Sequence, residues 1–141
     1  MRAMRDFSLF GEEHVQKYEA SGGKVGHDWN GTPILILHTA GRKSGKTRKN
    51  PLIYGRDGDD YLIVASKGGA PDNPDWYQNL MANPKTTIQV WADLIPVTAR
   101  TASAEEKARL WPTMTGHWPE YDEYQKKTKR EIPLVILSPR N

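Results

Sequence analysis

Short apolar runs rich in β-branched residues recur along the chain, with turn residues between them. The run at residues 33–40 is too continuous for a strand exposed on one face, so it predicts a buried strand. Two β-rich runs flank residues 57–59 and two more flank residues 92–93, which predicts two β-hairpins. A last run at residues 132–137 has Pro133 near its start, where a strand tolerates proline. The pattern predicts at least six strands.

Helical signals separate these runs. Gly22 and Gly23 end a first helix, and Ser103-x-x-Glu106 is a capping box that opens a later one. A further helix has Pro119 in its first turn, with acidic residues early and basic residues late, as the helix dipole favours. Four helices are therefore predicted, in residues 11–23, 74–84, 103–111 and 119–130.

This order of elements predicts the fold class. Strands joined mostly by hairpins favour a mainly antiparallel sheet closed into a small barrel, with short peripheral helices, in the α+β class. No G-x-G-x-x-G follows a strand, so a Rossmann site is not expected. The 141 residues fit a single domain overall, with an N-terminal helix and linker at residues 1–30 and the barrel at residues 31–141.

The segment GRKSGKTRKNP, residues 41–51, places five basic residues in eight positions with no acidic residue among them. The rest of the chain has more acidic than basic residues, so the basicity is local. The candidate anions are a phosphate on a small molecule, a nucleic acid and a lipid headgroup, and a local patch favours a small ligand. Gly41 and Gly45 let backbone N–H groups converge on an anion. A second basic cluster, residues 126–130, either joins the first in space or covers a helix face.

Aromatic residues supply a second candidate feature. The stretch Ala65–Gly69 ends a strand with two glycines that permit close approach of a flat ring, and Ser66 and Lys67 add donors. Trp76 and Tyr77 are helical neighbours, so one is expected in the core and the other in a cleft. A stripe with a period of three, Trp118, Tyr121 and Tyr124, would share one helix face, from which a tyrosine could donate a proton.

Several kinds of site are not expected. The chain has no cysteine, which excludes disulfides and thiolate sites. The four histidines lack metal-ligand spacing, and His38 is interpreted as structural. Residues 1–14 lack the apolar region of a signal peptide, and no apolar run is long enough to span a membrane. The residues alone therefore indicate a small β-barrel that binds an anionic, aromatic ligand.

Three blocks of sequence add a resemblance to a known family. LHTAGRKSGKTRKNPLIY, YLIVASKGGAPDNPDWYQNLMANP and YDEYQKKTKREIPLVIL occur in this order between residues 37 and 137. They resemble the deazaflavin-dependent nitroreductase family of actinobacteria, the F420H2-dependent oxidoreductases of flavin/deazaflavin oxidoreductase A type. The resemblance implies a split β-barrel like the FMN-binding barrels. It also implies the cofactor F420, a deazaflavin whose phosphate and polyglutamate tail would suit the basic segment.

The resemblance also implies a set of site residues. Along the tail and phosphate it places Arg42, Lys43, Ser44, Arg48, Lys49, Asn50, Pro51, Leu52 and Ile53. Around the rest of the cofactor it places Val64, Ala65, Ser66, Lys67, Asp75, Trp76, Tyr77, Gln78 and Asn79, with Tyr121 closing over the ring. Ser66, Tyr121 and Tyr124 are the implied catalytic residues, beside an acceptor that stacks over the ring.

The implied function is hydride transfer from reduced F420 to an electron-poor acceptor, a quinone, an activated enone or lactone, or a nitroaromatic compound. Some relatives that reduce nitroimidazoles carry tyrosine at the position of Trp118, and tryptophan cannot protonate a substrate, so that activity is not expected here. The rival hypotheses are an FMN-dependent oxidoreductase of the same barrel, a non-catalytic F420 carrier and a nucleic-acid binder. A cytoplasmic monomer or homodimer is expected, with membrane-surface contact left open and nucleic acid not expected as a partner.

Overall fold

The computed structural model describes residues 8–140, which form four helices and eight strands. The helices are Gly11–Ser21 (α1), Asp75–Ala82 (α2), Ala104–His117 (α3) and Glu120–Lys127 (α4). The strands are Asp28–Trp29 (β1), Thr32–Ala40 (β2), Thr47–Ile53 (β3), Gly55–Asp57 (β4), Asp60–Val64 (β5), Lys85–Val90 (β6), Asp93–Thr101 (β7) and Leu134–Pro139 (β8). The first seven residues of the predicted N-terminal segment lie outside the described residues.

One curled sheet contains all eight strands, and every pair is antiparallel. The strand order is β1-β2-β6-β7-β8-β5-β4, and β3 pairs with β2 at one side. The predicted α+β class and mainly antiparallel barrel are confirmed. The hairpin that joins β6 and β7 is confirmed as well, with Val90 opposite Asp93.

The other predicted hairpin is smaller than the sequence indicates. Only the three residues of β4 pair with β5, with Asp57 opposite Asp60. The apolar run before β4 belongs to β3 and pairs with β2 instead, from Ala40 opposite Thr47 to Ile34 opposite Ile53. The prediction was wrong on this point because the apolar pattern marks a strand without identifying its partner.

Both faces of the sheet are buried along β2, β5 and β8. Alternate residues of β2 and β5, such as Leu37 and Ile63, face the inside of the curl, where Trp76 and Leu80 of α2 join them. On the outer face, Leu62 and its neighbours pack beneath α3 and α4. Outward residues of β2 pack beneath α1. Burial on both faces explains why β2, β5 and β8 contain continuous apolar runs.

The first helix docks on the outer face through Tyr18, which is fully buried. Its hydroxyl donates to the carbonyl of Ile34 at 2.9 Å and accepts from the backbone N–H of Trp91 at 2.9 Å. Burial raises the pKa of this hydroxyl to about 12. Gly22 ends α1 in the left-handed conformation with φ of 62°, as predicted. Part of the predicted linker forms β1, which pairs with β2.

The last two helices pack beside each other on the outer face, where Nε1–H of Trp111 donates to Oδ1 of Asp122 and Nζ of Lys107 donates to Oε1 of Gln125. Ser103 and Glu106 form the predicted capping box at the start of α3. This helix runs past Pro112 to His117, farther than predicted, and α4 ends at Lys127, earlier than predicted. No helix within residues 8–140 has both the length and the apolar character needed to cross a bilayer.

A tight approach joins α4 to the 3-10 turn Lys67–Gly69. Gly69 has φ of 85°, and a Cβ added there would lie 2.7 Å from the carbonyl oxygen of Tyr124 and 3.0 Å from Cβ of Lys127. Gly58, in the β4–β5 turn, has φ of 59° and open space around the same position. An added side chain would therefore suffer backbone strain at both glycines, but a steric clash only at Gly69.

We predict that Gly69→Ala lowers the free energy of unfolding by about 1–3 kcal/mol more than Gly58→Ala, because it adds overpacking to the cost of a positive φ. Urea denaturation of the two variants and the parent protein measures the difference. Equal losses of stability would contradict the close approach of α4 to the turn.

Candidate active site

Two cavities adjoin each other beside β3 and the turn after β5. The larger, of about 790 Å³, is lined mainly by charged and polar residues. The smaller, of about 490 Å³, is lined mainly by aromatic and aliphatic residues. Four residues line both: Asn50, Lys67, Pro74 and Trp76. We call them the basic cavity and the aromatic cavity; together they form a continuous site with two chemically different ends.

The loop between β2 and β3 forms one wall of the basic cavity. The N–H of Gly45 donates to the carbonyl of Gly41 at 2.8 Å, and the N–H of Gly41 donates to the carbonyl of Lys46 at 2.8 Å. Gly45 makes this tight loop possible because its φ is 72°. The loop therefore presents its basic side chains from a fixed backbone.

Two of the five basic residues are held by protein partners. Oδ1 of the buried Asn79 accepts from the backbone N–H of Arg42 at 3.1 Å and from its Nη1 at 2.8 Å. Nη2 of Arg42 lies 3.6 Å from Oδ1 of Asp75. Nζ of Lys49 lies 2.6 Å from Oε2 of Glu19 in α1. These contacts anchor the loop and β3 to the helices on either side.

The other three, Lys43, Lys46 and Arg48, form no ion pair with another residue of the described chain. Lys43 and Arg48 line the basic cavity, and Lys67 lies between the two cavities. Positive charge without a balancing acid raises the local concentration of anions and offers them charged hydrogen bonds. This end of the site is suited to phosphate and carboxylate groups.

The turn after β5 separates the two cavities. Lys67, Gly68 and Gly69 have consecutive positive φ values of 47°, 62° and 85°. A Cβ added to Gly68, which lines the aromatic cavity, would have no atom within 4 Å. The hydroxyl of the adjacent Ser66 also lines this cavity and forms no hydrogen bond with another residue of the described part. The turn thus offers an open backbone surface and a polar group to a flat ligand.

The predicted aromatic stripe lines the opposite wall, although its residues do not share one helix. Trp118 lies beyond the last residue of α3, where its N–H donates to the carbonyl of Met114, and Tyr121 and Tyr124 lie in α4. All three line the aromatic cavity. Placing Trp118 on the same helix as the tyrosines was wrong because Pro119 starts a new helix.

The hydroxyls of the two tyrosines differ in their surroundings. The indole Nε1–H of Trp118 donates to the hydroxyl oxygen of Tyr124 at 3.3 Å. The hydroxyl of Tyr121 forms no hydrogen bond with any residue between 8 and 140, and burial raises its pKa well above the ordinary value. The hydroxyl of Tyr121 therefore stays protonated at neutral pH and is available to donate a hydrogen bond to a ligand in the cavity.

The N-terminal part of the chain forms a wall that the sequence did not predict. Phe10, His14 and Trp29 line the aromatic cavity, and the ring of Trp29 stacks on Trp118 with centroids 5.5 Å apart. The Nε1–H of Trp29 donates to the carbonyl of Leu9 at 2.9 Å. No local motif marks these residues, because the packing of α1 and the pairing of β1 bring them to the site.

The structure brings most of the residues implied by the resemblance to these two cavities. Ala65, Tyr77 and Gln78 line neither one. The hydroxyl of Tyr77 forms a hydrogen bond with Oγ1 of Thr101 at 2.8 Å, whereas Trp76 lines both cavities and also packs in the core. Trp76 is therefore both the core residue and the cleft residue, and Tyr77 does not take the predicted second role.

The chemistry of the site fits one class of ligand. A flat ring fits the aromatic cavity, between the Ser66 turn and the Tyr121 wall, and an anionic tail fits beside Lys43 and Arg48. A cofactor that combines a deazaflavin ring with a phosphate and carboxylates has these two parts. Within residues 8–140, no group of three or more histidine, aspartate or glutamate residues is placed to hold a metal ion.

A family model and several known proteins match this chain. A family model described as F420H(2)-dependent quinone reductase matches residues 10–139. An F420H(2)-dependent quinone reductase of Mycobacterium tuberculosis is 44% identical over 131 residues, which cover 90% of this chain and 88% of the relative.

Two solved structures are similar to this chain. One, described as an F420-H2 dependent reductase of type FDR-A, is 42% identical with a TM-score of 0.69 and covers 75% of this chain and 94% of its own. The other, described as a domain-swapped dimer, is 38% identical with a TM-score of 0.73 and covers 89% of this chain and 92% of its own.

Proposed function

The chain belongs to the F420H(2)-dependent quinone reductase family, and on this premise we propose that its two cavities bind reduced F420 beside a quinone and support hydride transfer between them. The observation that carries the proposal is the continuity of the basic and aromatic cavities through Asn50, Lys67, Pro74 and Trp76. A single extended cofactor can occupy both ends, with its tail in one and its ring in the other.

The basic cavity supplies binding energy to the tail. Lys43 and Arg48 carry charges that no described acidic residue neutralises, so they can pair with the phosphate and the carboxylates. Arg42 and Asn79 keep the loop in place by their mutual hydrogen bonds. FMN also carries a phosphate, but it lacks the polyglutamate that so many bases would suit.

The aromatic cavity orients the reacting parts. When bound, reduced F420 would supply a hydride, and reduction of a quinone to the hydroquinone also needs one proton. The hydroxyl of Tyr121 points at no described partner and stays protonated, so we assign it as the hydrogen-bond donor to a quinone oxygen. Ser66 and Tyr124 are assigned as the polar groups beside it, and Trp118 holds the hydroxyl of Tyr124.

The remaining wall favours an apolar acceptor. Trp29, Trp118 and Phe10 give the cavity a broad aromatic lining at the side away from the basic loop. A flat quinone can stack on such a surface, whereas a polar acceptor would lose hydrogen bonds to water there. Trp118 has no hydroxyl, so nitroimidazole reduction stays outside the proposal, and enones, lactones and other nitroaromatic compounds are secondary acceptors.

The proposal extends to assembly and location. Several large apolar side chains are exposed, among them Phe10 at 74%, which borders the aromatic cavity. Transient contact with a membrane surface would let this side of the protein meet apolar quinones. The similar domain-swapped chain supports a homodimer over a monomer, and the cytoplasmic location expected from the sequence is kept.

The first test compares two cofactors. Fluorescence titration of the purified protein is expected to show binding of oxidised F420 with micromolar or lower Kd and no comparable binding of FMN. In a turnover assay, the amount of quinone reduced should then equal the amount of F420H2 oxidised. Binding of FMN alone would contradict the proposal, and F420 binding without turnover of any acceptor would favour the carrier hypothesis.

The basic loop generates a second prediction. Replacing both Lys43→Ala and Arg48→Ala is expected to weaken F420 binding by on the order of 2 kcal/mol or more, because charged hydrogen bonds contribute ~1.5–3 kcal/mol each. A matched control, Lys24→Ala with Lys85→Ala, removes the same charge from positions that line neither cavity. Equal Kd values for the two double variants would refute the placement of the tail.

The tyrosine wall generates a third. Tyr121→Phe is expected to lower kcat with a quinone by about tenfold, because the variant loses a hydrogen bond of about 1.5 kcal/mol to the reacting oxygen, and to change F420 affinity little. Tyr124→Phe is the control, because its hydroxyl is already engaged by Trp118, and it should lose less activity. A Tyr121→Phe protein with full kcat would remove the assigned role as hydrogen-bond donor.

A further inference from the structure

Arg130 reaches from the segment after α4 into the loop that follows β5. Its Nε donates to the carbonyl of Ala70 at 2.8 Å, and its Nη2 donates to the carbonyl of Ser66 at 2.7 Å. Its Nη1 donates to the carbonyl of Ala65 at 3.2 Å and to Oδ1 of Asn73 at 2.8 Å. One guanidinium therefore connects both ends of the loop that carries the Ser66 turn.

The loop clamped by Arg130 contains the residues that face the ligand. Ser66, Lys67 and Gly68 line the aromatic cavity, and Lys67 also lines the basic one. The three consecutive positive φ values from Lys67 to Gly69 make this a backbone conformation that needs support. Within the loop, the backbone of the described residues forms two hydrogen bonds, from the N–H of Gly69 to the carbonyl of Ser66 and from the N–H of Ala70 to the carbonyl of Lys67.

The same clamp fixes the loop relative to the tyrosine wall. Arg130 follows α4 by three residues, and that helix carries Tyr121 and Tyr124. Gly69 packs directly against the backbone of Tyr124. The distance between the two walls of the aromatic cavity therefore depends on contacts made by Arg130 and Gly69, neither of which touches the proposed ligand.

The sequence placed Arg130 in a basic cluster that would join the first cluster or cover a helix face. The structure contradicts both readings for this residue, because Arg130 is half-buried and turned into the loop. Burial lowers its pKa from the ordinary value, with an opposing effect of Asp72. Its planar fork satisfies three carbonyls at once, which the single ammonium of lysine cannot reproduce.

We propose that Arg130 is a positioning residue for the ring end of the site: through the carbonyls of Ala65, Ser66 and Ala70 it holds the Ser66–Gly68 surface at the spacing that a deazaflavin ring requires. This inference rests on the proposed function for the identity of the ligand. The clamp itself is a property of the protein without its cofactor, so it can be tested separately.

The test compares Arg130→Met with Arg140→Met. Arg140 also donates to backbone carbonyls, those of Val97 and Thr86, but it lines neither cavity. Hydrogen exchange of the ligand-free proteins is followed at the amides of Gly69 and Ala70. For each variant, the Kd for F420 is then measured by titration, the KM for F420H2 by steady-state kinetics with a quinone, and the melting temperature by thermal unfolding.

In Arg130→Met, faster exchange at both amides is expected, with F420 affinity about tenfold weaker, which corresponds to ~1.4 kcal/mol, and a raised KM for F420H2. Arg140→Met should leave all three unchanged even if its melting temperature falls. Parent-like exchange and parent-like Kd in Arg130→Met would overturn the proposal, since the loop would then hold its shape unaided.

Arg130→Lys covers the case in which the methionine variant does not fold. Intermediate exchange rates and an intermediate Kd are expected, because one ammonium replaces the fork only in part. A lysine variant with a lower melting temperature but parent-like Kd and KM would overturn the positioning role and leave a structural one. If the parent protein itself fails to bind F420, the proposed function fails, while the exchange comparison still decides whether Arg130 holds the loop.

Discussion

Burial of both faces of one curled sheet is the constraint on which the rest of the structure depends. The inner face closes on itself around α2, but the outer face needs cover from elsewhere, and α1 takes one part while α3 and α4 take another. The covers leave a gap above Ile34, Ile53 and Val64, and the aromatic cavity lies in it. The site therefore forms where the three helices α1, α3 and α4 leave part of the outer face of the sheet uncovered.

The basic cavity beside this gap differs from it in charge. The five basic residues between residues 42 and 49 are close together in sequence, but they have two different roles in the fold. Arg42 and Lys49 bind Asn79 and Glu19 and hold the loop against α2 and α1. Lys43 and Arg48 stay available to a ligand. Anchoring by some charges keeps the others in position, so that little conformational entropy is lost when an anion binds.

Local signals predicted most of the fold. The Asp57–Asp60 turn, the capping box at Ser103 and the glycines after α1 each act over a few residues, and the structure has each feature at the predicted place. The prediction that β3 pairs across the Asp57–Asp60 turn was wrong, because strand partners are chosen by packing of the whole sheet and β3 pairs with β2. The prediction that Trp118 shares one helix face with the two tyrosines was wrong, because the spacing of three residues continues across Pro119 whereas the helix does not.

The candidate site shows the same division. The basic loop and the Ser66 turn are continuous in sequence and could be found there, with the resemblance supplying the ligand. Phe10 and Trp29 could not, since tertiary packing brings them from far along the chain. Arg130 was visible only as one charge in a cluster, and nothing local distinguishes a solvated arginine from one that binds three carbonyls.

The crystal structure of the complex with oxidised F420 would test the central claim most directly, namely that one cofactor spans both cavities. The account predicts the deazaflavin ring between Ser66 and Tyr121, with the phosphate and carboxylates within hydrogen-bond distance of Lys43 and Arg48. A ring bound outside the aromatic cavity, or a tail that leaves the protein without reaching the basic loop, would contradict it.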